Sequence, residues 1–154
     1  MSHTPDEWFW EDEEASVSFQ NEDVEFELSQ PDVLAEWIKA VIEREGCTLQ
    51  QASYIFCSDE YLYNLNQEYL NHDTYTDIIT FPYAAPPMIE GDIFISVDRV
   101  KDNARQFGAP FEQELHRVMI HGILHLCGYP DKSPGEKASM REKEEEALKL
   151  LQAQ

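Results

Sequence analysis

Apolar and polar residues alternate over Val17-Ser18-Phe19, and again over Val24, Phe26 and Leu28 after the polar Asn21-Glu22-Asp23. Alternation at a period of two marks a half-buried strand, so the first piece predicts a strand and the second an extended segment or weaker strand. Ser29, Pro31 and Asp32 signal a helix start, and Val33, Leu34, Trp37, Ile38, Val41 and Ile42 follow at helical spacing as far as Gly46. The β-branched and aromatic run Tyr54-Ile55-Phe56-Cys57 predicts a second strand. Ser58 is placed to cap a helix carrying Leu62, Leu65 and Tyr69, which leads into Asn71-His72-Asp73. Asp77–Phe81, stopped by Pro82, reads as a third strand, Ala84–Met88 as a loop, and Gly91–Ser96 as a fourth strand.

Helical spacing dominates the remainder. Residues 98–107 suit a helix closed by Gly108, and Pro110 is placed to open the next. Ser133-Pro134-Gly135-Glu136 matches a capping box with proline at the first helical position. The helix it opens has Met140, Ala147, Leu148 and Leu151 on its apolar side, and its Glu144–Glu146 run reads as a solvated face. Strands mixed with helices, most helices coming late, and no repeat or linker predict a single α+β domain over residues 15–154. Residues 1–14, with Trp8-Phe9-Trp10 followed by acidic residues, show no period and read as an irregular acidic arm.

Composition narrows the class. The 154 residues are 42% hydrophobic, enough for a real core. Neither an apolar run of about 18 residues nor a basic-then-apolar leader occurs, which argues against a membrane partner or export. Three scattered cysteines, Cys47, Cys57 and Cys127, form no paired framework, which points to a reducing, cytoplasmic setting. The net charge of −20 opposes nucleic-acid binding at first sight. The charge is uneven, however: residues 1–98 carry only Lys39 and Arg44 against 22 acidic residues, whereas residues 99–154 carry nine of each sign. Arg99, Lys101, Arg105 and Arg117 fall in and just after one helical stretch, a side that a polyanion such as RNA could approach, although solvated helix charges look the same.

The strongest chemistry lies in His121-Gly122-Ile123-Leu124-His125-Leu126-Cys127-Gly128-Tyr129-Pro130-Asp131. Residues i and i+4 of a helix share a face at about 5–6 Å between Cβ atoms. Two neutral imidazoles so placed can converge on one cation at roughly 2.0–2.1 Å each. Leu115, Val118, Met119, Gly122 and Leu126 form an inward stripe with both histidines on its flank, and Gly122 between them leaves room for close approach. Gly128 suits the left-handed residue that closes a helix, and Pro130 cannot continue one, so the chain must turn there. That turn can bring Asp131 back as a third ligand. Cys127 and His116 point off the histidine face and fit less well.

This stretch resembles the signature of the YbeY-type endoribonucleases, bacterial single-domain proteins implicated in rRNA maturation and ribosome quality control. Leu65-Asn66-x-x-Tyr69 followed by Asp73-x-x-Thr76-Asp77-Ile78-Ile79-Thr80-Phe81-Pro82 forms a second matching block, and Gly91-Asp92-Ile93 a third. The resemblance spans most of residues 15–150. It implies a small mixed sheet flanked by helices, with one Zn²⁺ held in a cleft beside the His-x-x-x-His helix. It further implies a single-strand-specific nuclease acting on ribosomal RNA, with ribosomal proteins or a ribosome-assembly GTPase as further partners.

Two positions depart from the family pattern. Asp131 stands where the family commonly has a third histidine, and a His₂-carboxylate set still leaves a coordination position open for water. Leu70 stands where the family typically has an arginine thought to take part in catalysis, so that Arg117 or Arg105 would have to supply the cation. His72, beside the second block, is a further catalytic candidate, with a surface-loop role as the alternative. Two rival classes remain. A zinc peptidase or amidohydrolase would need a glutamate base where Gly122 stands. A non-catalytic or weakly catalytic ribosome-associated factor would keep the metal site without the missing arginine.

Overall fold

The computed structural model describes residues 15–70 and 75–153. Residues 1–14, read above as an arm, and His72 lie outside them. Four strands form one sheet in the order β1-β2-β4-β3. β1 (Ser16–Asn21) runs parallel to β2 (Thr48–Cys57), with Ser16 opposite Gln51 and Asn21 opposite Phe56. β2 runs parallel to β4 (Met88–Ser96), and β3 (Ile78–Pro82) pairs antiparallel with the other side of β4. The helices are α1 (Pro31–Arg44), α2 (Asp59–Leu70), α3 (Val97–Phe107), α4 (Phe111–Leu126) and α5 (Pro134–Gln152). The α+β class, the mixed four-stranded sheet and the five helices all agree with expectation.

Local rules account for most boundaries. α1 begins with Pro31 at its first turn, as expected, but the residue capping it is Gln30 in a left-handed conformation rather than Ser29. Leu34, Trp37, Ile38, Val41 and Ile42 are its buried stripe. The Trp37 indole N–H donates to the Ala147 carbonyl at 2.7 Å, tying α1 to α5. The segment bearing Val24, Phe26 and Leu28 pairs with no strand; its apolar side chains pack on the core, Phe26 lying 5.0 Å from Phe56 between ring centroids. Asp23 instead clamps the start of α2, accepting from the Ser58 backbone N–H at 2.8 Å.

α1, α3, α4 and α5 share one hydrophobic core with the sheet, whereas Leu62 of α2 packs with Cys57 and Ile79 in a second, smaller one. α4 is the centre of the larger core. The expected stripe of Leu115, Val118, Met119, Gly122 and Leu126 is buried, and Ile120, Ile123 and Leu124 are buried too, because α4 has neighbours on nearly every side. Gly122 sets how deeply the helix sits: a Cβ there would lie 3.0 Å from Ile78 Cδ1 and Ile93 Cγ2. Gly91 does the same from the sheet, where a Cβ would lie 2.7 Å from the Phe81 carbonyl oxygen and 3.3 Å from Leu126. This close seating holds His121 and His125 at the β3 edge of the sheet, lining one cleft with Asp77 and Ile78. Among the described residues no helix is long and apolar enough to cross a membrane.

Candidate metal centre

The end of α4 builds the site. Gly128 adopts φ 109°, and its N–H donates to the His125 carbonyl at 2.9 Å while the Tyr129 N–H reaches the Leu124 carbonyl at 3.0 Å. These are the paired bonds by which a left-handed residue closes a helix. The reversed chain returns Asp131 to the histidines, its Oδ2 lying 3.3 Å from His121 Nε2 and 3.2 Å from His125 Nε2. Donors about 2.0–2.1 Å from a tetrahedral ion stand roughly 3.3 Å apart, so the aspartate is spaced from both imidazoles as two ligands of one ion would be. The nearest ligand atoms of His121, His125 and Asp131 all lie within 4.8 Å of one another, and this group could hold a metal.

Outer contacts orient both rings. His125 Nδ1 lies 2.9 Å from the Tyr129 carbonyl oxygen, which can only accept, so Nδ1 carries the proton and Nε2 presents its lone pair to the site. His121 Nδ1 lies 2.6 Å from Glu144 Oε2, which fixes the second ring in the same sense. Glu144 is thus a correction to the solvated face read from Glu144–Glu146. It is buried, and its other oxygen accepts from Arg117 Nη1 at 3.2 Å, while Glu145 and Glu146 stay exposed. A signal for this was present. Glu144 falls four residues after Met140 and three and four before Ala147 and Leu148, on the very stripe that α5 buries.

The electrostatics follow from this packing. Burial alone would lower the His121 pKa, but the Glu144 hydrogen bond and the nearby charges of Glu144, Asp131 and Asp77 lift it above the ordinary histidine value. Burial raises the Asp77 carboxyl above the usual range against the opposing pull of His121. Burial likewise raises Glu114. The cleft in front of the triad encloses about 520 Å³ and is lined by Asn66, Leu70, Thr76, Asp77, the β3 backbone and the three candidate ligands. A continuation of about 320 Å³ shares Asp77, Ile78, His121 and Asp131 and reaches Glu114, Arg117, Arg141 and Glu144.

The sequence-predicted basic residues are placed differently. Arg117 lines the continuation, with both terminal nitrogens taken by carboxylates, Glu144 at 3.2 Å and Glu145 at 2.6 Å. Arg99 pairs with Asp59 at 2.7 Å and with Asp102 at 3.5 Å, its guanidinium 5.3 Å from the Tyr75 ring centre. Arg105 pairs with Asp102 at 3.2 Å, and Lys101 sits 5.9 Å from the Phe111 ring centre. Arg99, Lys101 and Arg105 line neither part of the cleft. Gly122 faces the sheet rather than the cleft, so that position could not present a peptidase-type base without displacing β3 and β4.

Residues 16–152 match the family described as endoribonuclease YbeY. The chain belongs to that family. It is 50% identical over 135 residues to the Flavobacterium psychrophilum protein named Endoribonuclease YbeY, covering 88% of this chain and 96% of that one. The Bacteroides thetaiotaomicron protein of the same name is also 50% identical over 135 residues, 88% of this chain and 98% of the relative. In structure it is similar to a Thermotoga maritima protein solved in solution, with a TM-score of 0.64, 28% identity and 88% of each chain covered. The YbeY resemblance drawn from the three sequence blocks is therefore confirmed. A metal-capable triad inside a wide polar cleft is what this YbeY chain offers for chemistry: two oriented imidazoles, one carboxylate and an open side.

Proposed function

We propose that this chain is a zinc-dependent, single-strand-specific endoribonuclease that matures ribosomal RNA and takes part in ribosome quality control. The observation that carries the proposal is the triad of His121, His125 and Asp131, held at ligand spacing and open to a cleft of about 520 Å³. Half-identity to relatives named Endoribonuclease YbeY supplies the substrate class. One Zn²⁺ per chain bound there would polarise a phosphoryl oxygen and acidify a water molecule. The chain's own residues do the rest. Tyr129 and Glu144 hold the two imidazoles in the metal-binding tautomer, and Arg117, 3.2 Å from Glu144, holds that carboxylate in place. Asp77, with its raised pKa, lines the cleft in which a phosphate would lie. Arg99, Lys101 and Arg105 on α3 would guide the RNA backbone outside the cleft. A cytoplasmic location and contacts with ribosomal proteins or an assembly GTPase belong to the same reading.

Leu70 favours a second reading. It presents an apolar side chain to the cleft wall where a cation would aid phosphodiester cleavage. The chain would then be a weakly catalytic ribosome-associated factor with a retained metal site. One experiment separates them: cleavage of a ribosomal RNA precursor fragment by wild type, His121→Ala and Asp131→Ala, with chelation and zinc add-back. Zinc-restored cutting lost in both variants supports the nuclease. Metal binding without cutting by wild type leaves the factor.

A further inference from the structure

Cleaving a phosphodiester places negative charge on the non-bridging oxygens, and a cleft that does this needs a cationic donor free to meet them. The cleft here is short of one. Asp77, Glu114, Asp131 and Glu144 line its walls, and the part facing Leu70 has no lysine or arginine among its described lining residues. Arg117 is 11% exposed at its side chain and is spent on Glu144 and Glu145. The remaining cation in the lining is Arg141, on the first half of α5.

Arg141 differs from Arg99, Arg105 and Arg117, each of which is paired with a carboxylate. Among the described residues no carboxylate lies within 4.0 Å of its guanidinium, although Glu114 and Glu145 are near enough to feel its charge. It is exposed, one residue past the buried Met140 and three before the buried Glu144. Its stem is therefore anchored beside the helix stripe that carries Glu144 to His121. An arginine so placed has its planar fork of donors open on the cleft side, and that fork matches phosphate geometry.

We propose that Arg141 is the phosphate clamp of this site, taking the non-bridging oxygens of an RNA phosphate lodged in front of His121 and Asp131. This rests on the RNA-cleaving reading above and gives it a cation that the wall at Leu70 lacks. The contact is ionic and forms no covalent bond. The clamped phosphate lies in the continuation lined by α4 and α5, while the cations of α3 meet the RNA outside the cleft.

The test uses the full chain and a labelled 12-nucleotide single-stranded RNA, first without metal in the presence of chelator. Arg141→Ala, Arg141→Lys and the control Lys137→Ala, an exposed cation of α5 outside the cleft lining, are compared with wild type. Losing one phosphate contact should flatten the plot of log affinity against log salt by about 0.7 for a single strand. Arg141→Ala should show that flattening, Arg141→Lys should recover it, and Lys137→Ala should not show it. With zinc restored, Arg141→Ala should cut roughly 100-fold more slowly, the loss typical of one missing oxyanion donor. Because Arg141 is exposed, its thermal midpoint should match wild type.

Each outcome decides something. Binding that depends on Arg141 without cleavage by wild type retains the clamp and ends the nuclease reading. Cleavage by wild type with an unchanged slope and rate in Arg141→Ala ends the clamp and retains the nuclease. An equal flattening in Lys137→Ala shows diffuse attraction and also ends the clamp, and an RNA that wild type does not bind ends both.

Discussion

Changing Glu144 to glutamine removes one charge and almost no volume, and it tests how the metal centre is held. Glu144 uses its two oxygens separately, Oε2 for His121 Nδ1 at 2.6 Å and Oε1 for Arg117 at 3.2 Å. Glutamine has one oxygen and one NH₂ group that can only donate. If the NH₂ faces Arg117, two donors oppose each other. If it faces His121, Nδ1 must become an acceptor, which moves the ring proton to Nε2 and removes the lone pair the metal needs. Either arrangement costs the site.

Outer partners of metal-bound histidines typically contribute 10–100-fold in affinity, about 1.4–2.7 kcal/mol. The loss of fold stability should be smaller than for a fully orphaned buried ion, because Arg117 keeps Glu145 at 2.6 Å. It should resemble one lost charged hydrogen bond, about 1.5–3 kcal/mol. Zinc affinity measured by competition with a chromophoric chelator at neutral pH reads the first effect, and urea unfolding of the chelated protein reads the second. Zinc affinity within twofold of wild type together with unchanged urea stability would refute the argument, because either orientation of the amide must cost one or the other.

Three further outcomes follow from the same geometry. His121 has a folded pKa raised above its unfolded value, so its contribution to stability is complete below about pH 6.5 and is lost as pH rises through the folded pKa. The chelated wild type should accordingly lose thermal stability as pH rises above about 6.5, and Glu144→Gln should flatten that slope; an identical slope in both would contradict the assignment to His121. Gly91→Ala would force a Cβ to within 2.7 Å of the Phe81 carbonyl, a backbone atom that cannot swing aside, and should cost about 2–3 kcal/mol in urea unfolding. An unchanged midpoint would mean that β3 moves freely. Trp37→Phe leaves the Ala147 carbonyl without its 2.7 Å donor in the fully buried core, and a loss of about 2–3 kcal/mol is expected by the same measurement.

How far the site could be read in advance depends on how local each part is. The His121–His125 pair, the left-handed Gly128 and the return of Asp131 all lie within eleven residues and obey the geometry of one helix and its cap. Gly122 was legible as a close approach, although the partner turned out to be the sheet, through Ile78 and Ile93, rather than anything in the cleft. The basic residues were harder because a charge's partners come from other elements. Arg99 is neutralised by Asp59 from α2, and Arg117 by Glu144 and Glu145 from α5. α5 is the decisive case. Its six consecutive charged residues, Arg141–Glu146, show no inward side by charge alone, and only the register set by Met140, Ala147 and Leu148 separates them. That register turns Glu144 inward to His121, leaves Glu145 to hold Arg117 from outside, and places Arg141 at the lip of the cleft. One helix thus carries both the group that orients a candidate metal ligand and the cation facing the same cavity. Under the proposed site, a shift of α5 along its axis would change metal binding and RNA binding together.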